Sequence, residues 1–193
     1  MRREYKVARI TYNVERITYN FKGARTNDQE LKNLQPITYN LQLKKVKHLY
    51  DSEIGVKEHG MNSGKRVEEY LRYVNLEKGN PWCAAFICWV FGKAGIDNPR
   101  SGWSPDLFKS NVIWKRNSPA TNKQTPLATD VFGIWFPEKG RIAHAGFIDR
   151  WDKTWLITVE GNTNRDGSRE GDGVYRKRRL VRSIYQVARY CYR

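Results

Sequence analysis

Residues 80–95 read NPWCAAFICWVFGKAG. Every residue from Trp82 to Phe91 is apolar, so a helix over this stretch has no face to give to water and must be buried all round. Asn80 is placed to cap such a helix, Pro81 to fill its first turn without losing a hydrogen bond, and Gly95 to stop it. The pattern predicts a central helix around which the chain packs, with Cys83 in its first turn. Unpaired N–H groups and the helix dipole favour an anion there, which lowers a thiol pKa. Cys88, deeper in the helix, reads as core.

Upstream, residues 51–60 (DSEIGVKEHG) read as a short helix, and residues 62–76 as a second with Val67, Tyr70, Leu71 and Val74 on one face. Downstream, Ser104 as cap and Pro105 as first helical residue open SPDLFKSNVIW as a helix. After residue 129 the period changes to strands: DVFGIWF (130–136), IAHAGFIDRW (142–151), TWLITVE (154–160), then GVYRKRRLV and IYQVARYCY beyond a glycine-rich loop. Helices first and an antiparallel sheet second define an α+β fold. Within residues 1–48 the tetrapeptide ITYN occurs at 10–13, 17–20 and 37–40, a spacing too uneven for a solenoid. That region is expected to be a basic arm, with short strands or none, ahead of a folded domain at 49–193.

A chain of 193 residues suits one hydrophobic core. No run approaches the roughly 20 apolar residues of a membrane span, and MRREYKVARITYN lacks the apolar segment of a signal peptide. The net charge of +15 draws the surface to polyanions: nucleic acid, acidic lipid or envelope polymer. RKRRLVR (176–182) is the best feature for a nucleic-acid-binding module, but no zinc-finger spacing, P-loop or aromatic RNA-binding signature accompanies it. A solvated strand whose charges deter edge pairing is the plainer reading. Three cysteines, Cys83, Cys88 and Cys191, make neither a disulfide framework nor a zinc site.

Of the three histidines, His48 and His59 lie in polar surroundings, whereas His144 sits inside a strand between alanines. A hairpin turn centred on Asp152 would set His144 directly opposite Glu160, on one side of the sheet and within reach of a hydrogen bond. Asn162 shares that side if the strand continues so far. A one-residue slip would send His144 and Glu160 to opposite faces. Cys83 as nucleophile, His144 as base and Glu160 as orienting carboxylate fill the three roles of covalent acyl transfer. The Cys83 N–H, with Asn80 if it is not simply a cap, would face the oxyanion. Trp82, Trp103 and Trp135 are candidates to line a groove for sugar or peptide, with core packing as the alternative. The loop 161–173 is a candidate border of that cleft.

At these residues the chain resembles the CHAP family, the cysteine- and histidine-dependent amidohydrolases and peptidases related to the NlpC/P60 group. The carriers are NPWCAAFICWVFGKAG, TDVFGIWFPEKGRIAHAGFID and LITVEGNTN, in that order, within residues 62–190. The resemblance implies a papain-like fold with the nucleophile at a helix start, and a catalytic quartet of Cys83, His144, Glu160 and Asn162. It implies cleavage of peptidoglycan amide bonds, as endopeptidase or as amidase between sugar and peptide, without metal or organic cofactor. A few relatives cleave glutathione–polyamine conjugates instead. With no wall-binding repeat and no export signal recognised, the expected route is synthesis in the cytoplasm, then access to the envelope by phage lysis or non-Sec export. Any immunity protein or delivery machinery is unspecified.

Overall fold

A computed structural model describes residues 28–165 and 171–191. The first two ITYN copies and the middle of the 161–173 loop lie outside the described residues. The chain divides into two units, Met1–Thr38 and Tyr39–Arg193, a division upstream of the boundary expected near residue 48. It falls inside a helix, α1, spanning Asp28–Ser52.

The third ITYN is therefore helical and not the strand or arm its β-prone residues suggest. Tyr39, Val46 and Tyr50 are buried, with Leu43 packed against the same core. Their four-three-four spacing makes a helical stripe, and tertiary burial of that stripe overrides local propensity. The helix expected over 51–60 does not form beyond Ser52. Gly55 and Gly60 take positive φ, and the backbone turns to bond β5 (Gly173–Leu180): Gly55 N donates to Val174 O, and Val174 N to Val56 O. Strand pairing takes the donors that a helix would have used.

Helix α2 spans Lys65–Tyr73 and buries Val67, Tyr70 and Leu71. The central helix α3 spans Cys83–Ala94, with all of Cys83 to Phe91 buried and Gly95 in the left-handed conformation at its end. SPDLFKSNVIW is not one helix: Ser104–Phe108 forms a 3₁₀ turn, and β1 follows at Val112–Lys115. The other strands are β2 (Val131–Phe136), β3 (Arg141–Trp151), β4 (Trp155–Thr163) and β6 (Gln186–Ala188). They form a six-stranded antiparallel sheet in the order β1-β6-β2-β3-β4-β5. The α+β class follows directly. The main core lies where α1, α2 and α3 meet the sheet, and a smaller cluster gathers Phe132, Ile148, Leu156, Ile184 and Val187.

One irregularity in β3 positions the candidate site. Next to the turn Trp151 pairs with Leu156 and Arg150 with Ile157, but further on Ile148 pairs with Thr158 and Phe147 with Val159. Asp149 is the extra residue, a β-bulge. Without it Glu160 would face Phe147 and point away from His144; with it, both share a face. Tyr50 Oη donates to Asp149 at 2.9 Å, Lys47 donates to the same carboxylate, and Arg176 Nε lies 3.3 Å from it. Helix α1 thus holds the bulge.

Gly161 seats the start of α3. A Cβ there would meet Trp82 Cζ3 at 2.6 Å and Phe86 at 3.0 Å. Gly161→Ala is expected to cost about 1–3 kcal/mol by overpacking, read as a lower urea midpoint; an unchanged midpoint would mean that the helix start moves freely.

Candidate active site

Helix α3 begins two residues later than its sequence suggests. Trp82 stands at the cap, and Asn80 caps nothing: its Nδ2 donates to Glu77 O at 3.0 Å. Cys83 is accordingly the first helical residue, and the first intrahelical bond runs from Phe86 N to Trp82 O. The N–H groups ahead of it have no helical acceptor.

His144 comes to the thiol from β3, where Ala143 and Ala145 leave room for the ring. It is not directly opposite Glu160 as expected. The true turn centre and the bulge move the register by two residues, which preserves the face and makes the pair diagonal. The side chains span the diagonal: His144 Nε2 lies 2.7 Å from Glu160 Oε2. This leaves Nδ1 as the ring nitrogen for the hydrogen bond with Cys83.

Glu160 is fully buried and tightly held. Arg179 donates Nε to Oε1 at 2.6 Å and Nη2 to Oε2 at 2.5 Å, and Thr158 Oγ1 donates to Oε1 at 2.5 Å. Burial raises the Glu160 pKa, but Arg179 and His144 outweigh it and hold the carboxyl far below 4.5. Burial likewise lowers the His144 pKa, yet the Cys83 and Glu160 partners bring it up to about 9. For Cys83 burial raises the pKa, while the bond with His144, the Ser104 hydroxyl and the Ala145 N–H bring it down to about 7. The arrangement favours a thiolate beside an imidazolium, the state a nucleophilic cysteine requires.

Ser104 does not cap a helix; its Oγ lies 3.5 Å from Cys83 Sγ. Arg179 likewise departs from the solvated basic strand expected over 176–182, because its guanidinium is turned onto buried Glu160. β5 is the sheet edge, but Tyr175, Lys177 and Arg179 are half-buried while Arg176 and Arg178 are exposed. That alternation was invisible because both faces carry cations.

Cys83 and His144 open onto a cavity of about 600 Å³, lined also by Asn162, Arg179, Glu58, Met61 and Phe136. β4 continues through Asn162, which has φ 53° at a break in the strand's register, so it reaches this cavity from an irregular part of the strand. Thr163 and Gly171, described residues of the 161–173 loop, line the cavity as well. Asn80, Trp82, Trp103 and Trp135 do not line it. Trp82 is fully buried against Tyr70 and donates to Glu58. Trp103 stacks under Arg141, and Trp135 packs on Tyr185. Among the described residues no group of three or more His, Cys, Asp or Glu side chains is placed to hold a metal ion, and no helix is long and apolar enough to cross a membrane.

All three cysteines are free and buried. Burial raises the Cys88 and Cys191 thiols to about 11. Iodoacetamide at neutral pH is therefore expected to label Cys83 alone, with a rate that climbs as pH rises through about 7. Peptide mass spectrometry reads the site. A midpoint at the ordinary 9 would show that the pair does not ionise, and His144→Ala is expected to move the midpoint upward.

No protein-family model matches the chain, and no curated protein matches it.

Proposed function

We propose that this chain is a cysteine amidohydrolase that cleaves amide bonds of peptidoglycan. The carrying observation is the alignment of Cys83 at a helix start, His144 beside it and Glu160 at 2.7 Å from the far ring nitrogen, opening on one cavity. Cys83 Sγ attacks the carbonyl carbon as a thiolate. The His144 imidazolium protonates the leaving amine, and a thioester remains on the enzyme. His144, now neutral, draws a proton from water, which attacks the thioester and releases the acid and the thiol. Glu160 keeps the ring oriented and steadies its positive form. The unpaired N–H groups of the first α3 turn, that of Cys83 above all, stabilise the oxyanion.

The fold assignment behind this reading is papain-like, with the nucleophilic helix packed on an antiparallel sheet. Asn162 is the fourth member of the site and positions substrate or ring from the cavity wall. For the substrate, support comes from the resemblance to CHAP domains and from a net charge of +15, which suits an anionic envelope. The test is mass spectrometry of soluble fragments released from purified peptidoglycan. New fragments are expected, and their masses distinguish an endopeptidase from an amidase. Walls of several chemistries left intact would overturn the substrate, and a glutathione–polyamine conjugate is then the amide to offer.

A further inference from the structure

Among the described residues from Tyr39 on, every carboxylate that is not exposed has a cationic partner except Glu58. Its neighbour Lys57 is engaged by Asp172. In a chain with 35 Lys and Arg against 20 Asp and Glu, a half-buried carboxylate without a cation is a charge left for something else. Glu58 is also fixed in place. Its Oε1 accepts from Trp82 Nε1 at 2.6 Å, and its Oε2 from the Asn62 backbone N–H at 2.9 Å. The loop that carries it is tied down by Glu58 N to Asp172 O and by His59 N to Ser63 O. Trp82 directly precedes Cys83, so the carboxylate is coupled to the residue next to the nucleophile. It lines the same cavity as Cys83 and His144.

Two neutral N–H donors use about half of a carboxylate's roughly four acceptor positions. A carboxylate suits these two donors, since each of its oxygens accepts one whereas a glutamine would turn its NH2 toward one of them, but both donors are neutral and leave the negative charge without a counter-ion. A cation entering the cavity, which Glu58 lines, would supply that counter-ion. Resting on the hydrolase reading above, we propose that Glu58 is the specificity residue of this site and binds a protonated primary amine of the peptide substrate. A peptide amine with a pKa near the lysine value of about 10.4 is charged at neutral pH. Its ammonium would find both carboxylate oxygens already oriented.

The test measures binding in the Cys83→Ala protein, so that no turnover intervenes. The probes are a lysine-containing peptidoglycan stem peptide and the same peptide acetylated at its amines, titrated by calorimetry. With Glu58 present, acetylation is expected to weaken binding about 10- to 100-fold, the range for a hydrogen bond to a charged group. In the Glu58→Gln protein that preference should vanish, and Glu58→Asp should retain part of it. Equal affinity for the two peptides with Glu58 present, no binding of either, or a preference that survives in Glu58→Gln would each overturn the proposal. Fragment release from walls by the protein with Cys83 intact is scored separately. Release without an amine preference removes the role of Glu58 alone, whereas an amine preference without release retains Glu58 as a binding residue and removes the hydrolase.

Discussion

Cys83→Ala is expected to release no soluble fragments from peptidoglycan, a loss on the order of 10⁴- to 10⁶-fold for removal of a nucleophile that acts with its base as a unit. The fold should survive. Cys83 is 5% exposed, and exchange of one buried sulfur for hydrogen costs about 1 kcal/mol, so the urea midpoint and circular dichroism should stay close to those of the parent. The imidazole should change more than the backbone. Its pKa stands near 9 partly because of the thiol beside it, and with alanine at 83 it should fall, as the titration of the His144 ring signals by NMR would report. Full fragment release by Cys83→Ala would remove this thiol from the chemistry, whatever the fold.

The central helix was legible because nothing competes with its pattern: a run apolar on all sides can only be buried, and all of Cys83 to Phe91 is. The alternating strands after residue 129 were legible for a similar reason. Helix α1 was not. Its stripe of Tyr39, Leu43, Val46 and Tyr50 is interleaved with lysines and with the β-prone ITYN, so the local signal points to strand or arm. Burial against distant residues decides otherwise. The 51–60 segment fails in the opposite sense, since its helical pattern yields to pairing with β5, whose position no local window contains.

The site divides along the same line. Cys83 and His144 stand out by their residue types and settings. Their geometry depends on Asp149, a bulge held by Tyr50 across 99 residues of sequence, and a symmetric turn at Asp152 reached the right face only because the error was two residues and not one. Ser104 and Arg179 were hidden by plausible local roles, as a helix cap and as one cation among several. For the tryptophans the sequence leaves groove and core open, because size and aromaticity serve both, and Trp82 serves the core.

Glu160→Gln is expected to damage stability and turnover together, and a second substitution should separate them. The glutamine is neutral, so Arg179, with its side chain 19% exposed, loses its counter-charge; breaking such a buried pair costs about 3–5 kcal/mol. Glutamine can also donate its amide N–H to His144 Nε2. The ring proton then sits on Nδ1, facing the thiol it ought to receive from, and turnover should fall about 10²- to 10⁴-fold. The pH dependence has a definite sign. Glu160 is held below its ordinary 4.5 in the folded protein, so its stabilisation is present above that value and is lost as pH falls towards the lower folded pKa. The stability gap between parent and Glu160→Gln should therefore be widest at neutral pH and close on acidification below 4.5, as paired urea titrations would record. Glu160→Gln with Arg179→Met removes both charges and should recover much of the lost stability, since an uncharged replacement of a buried pair is often neutral. It should recover none of the turnover, because the imidazole still lacks its carboxylate. Recovery of both would make Glu160 a partner of Arg179 alone; loss of stability with parental turnover would remove it from the orientation of His144.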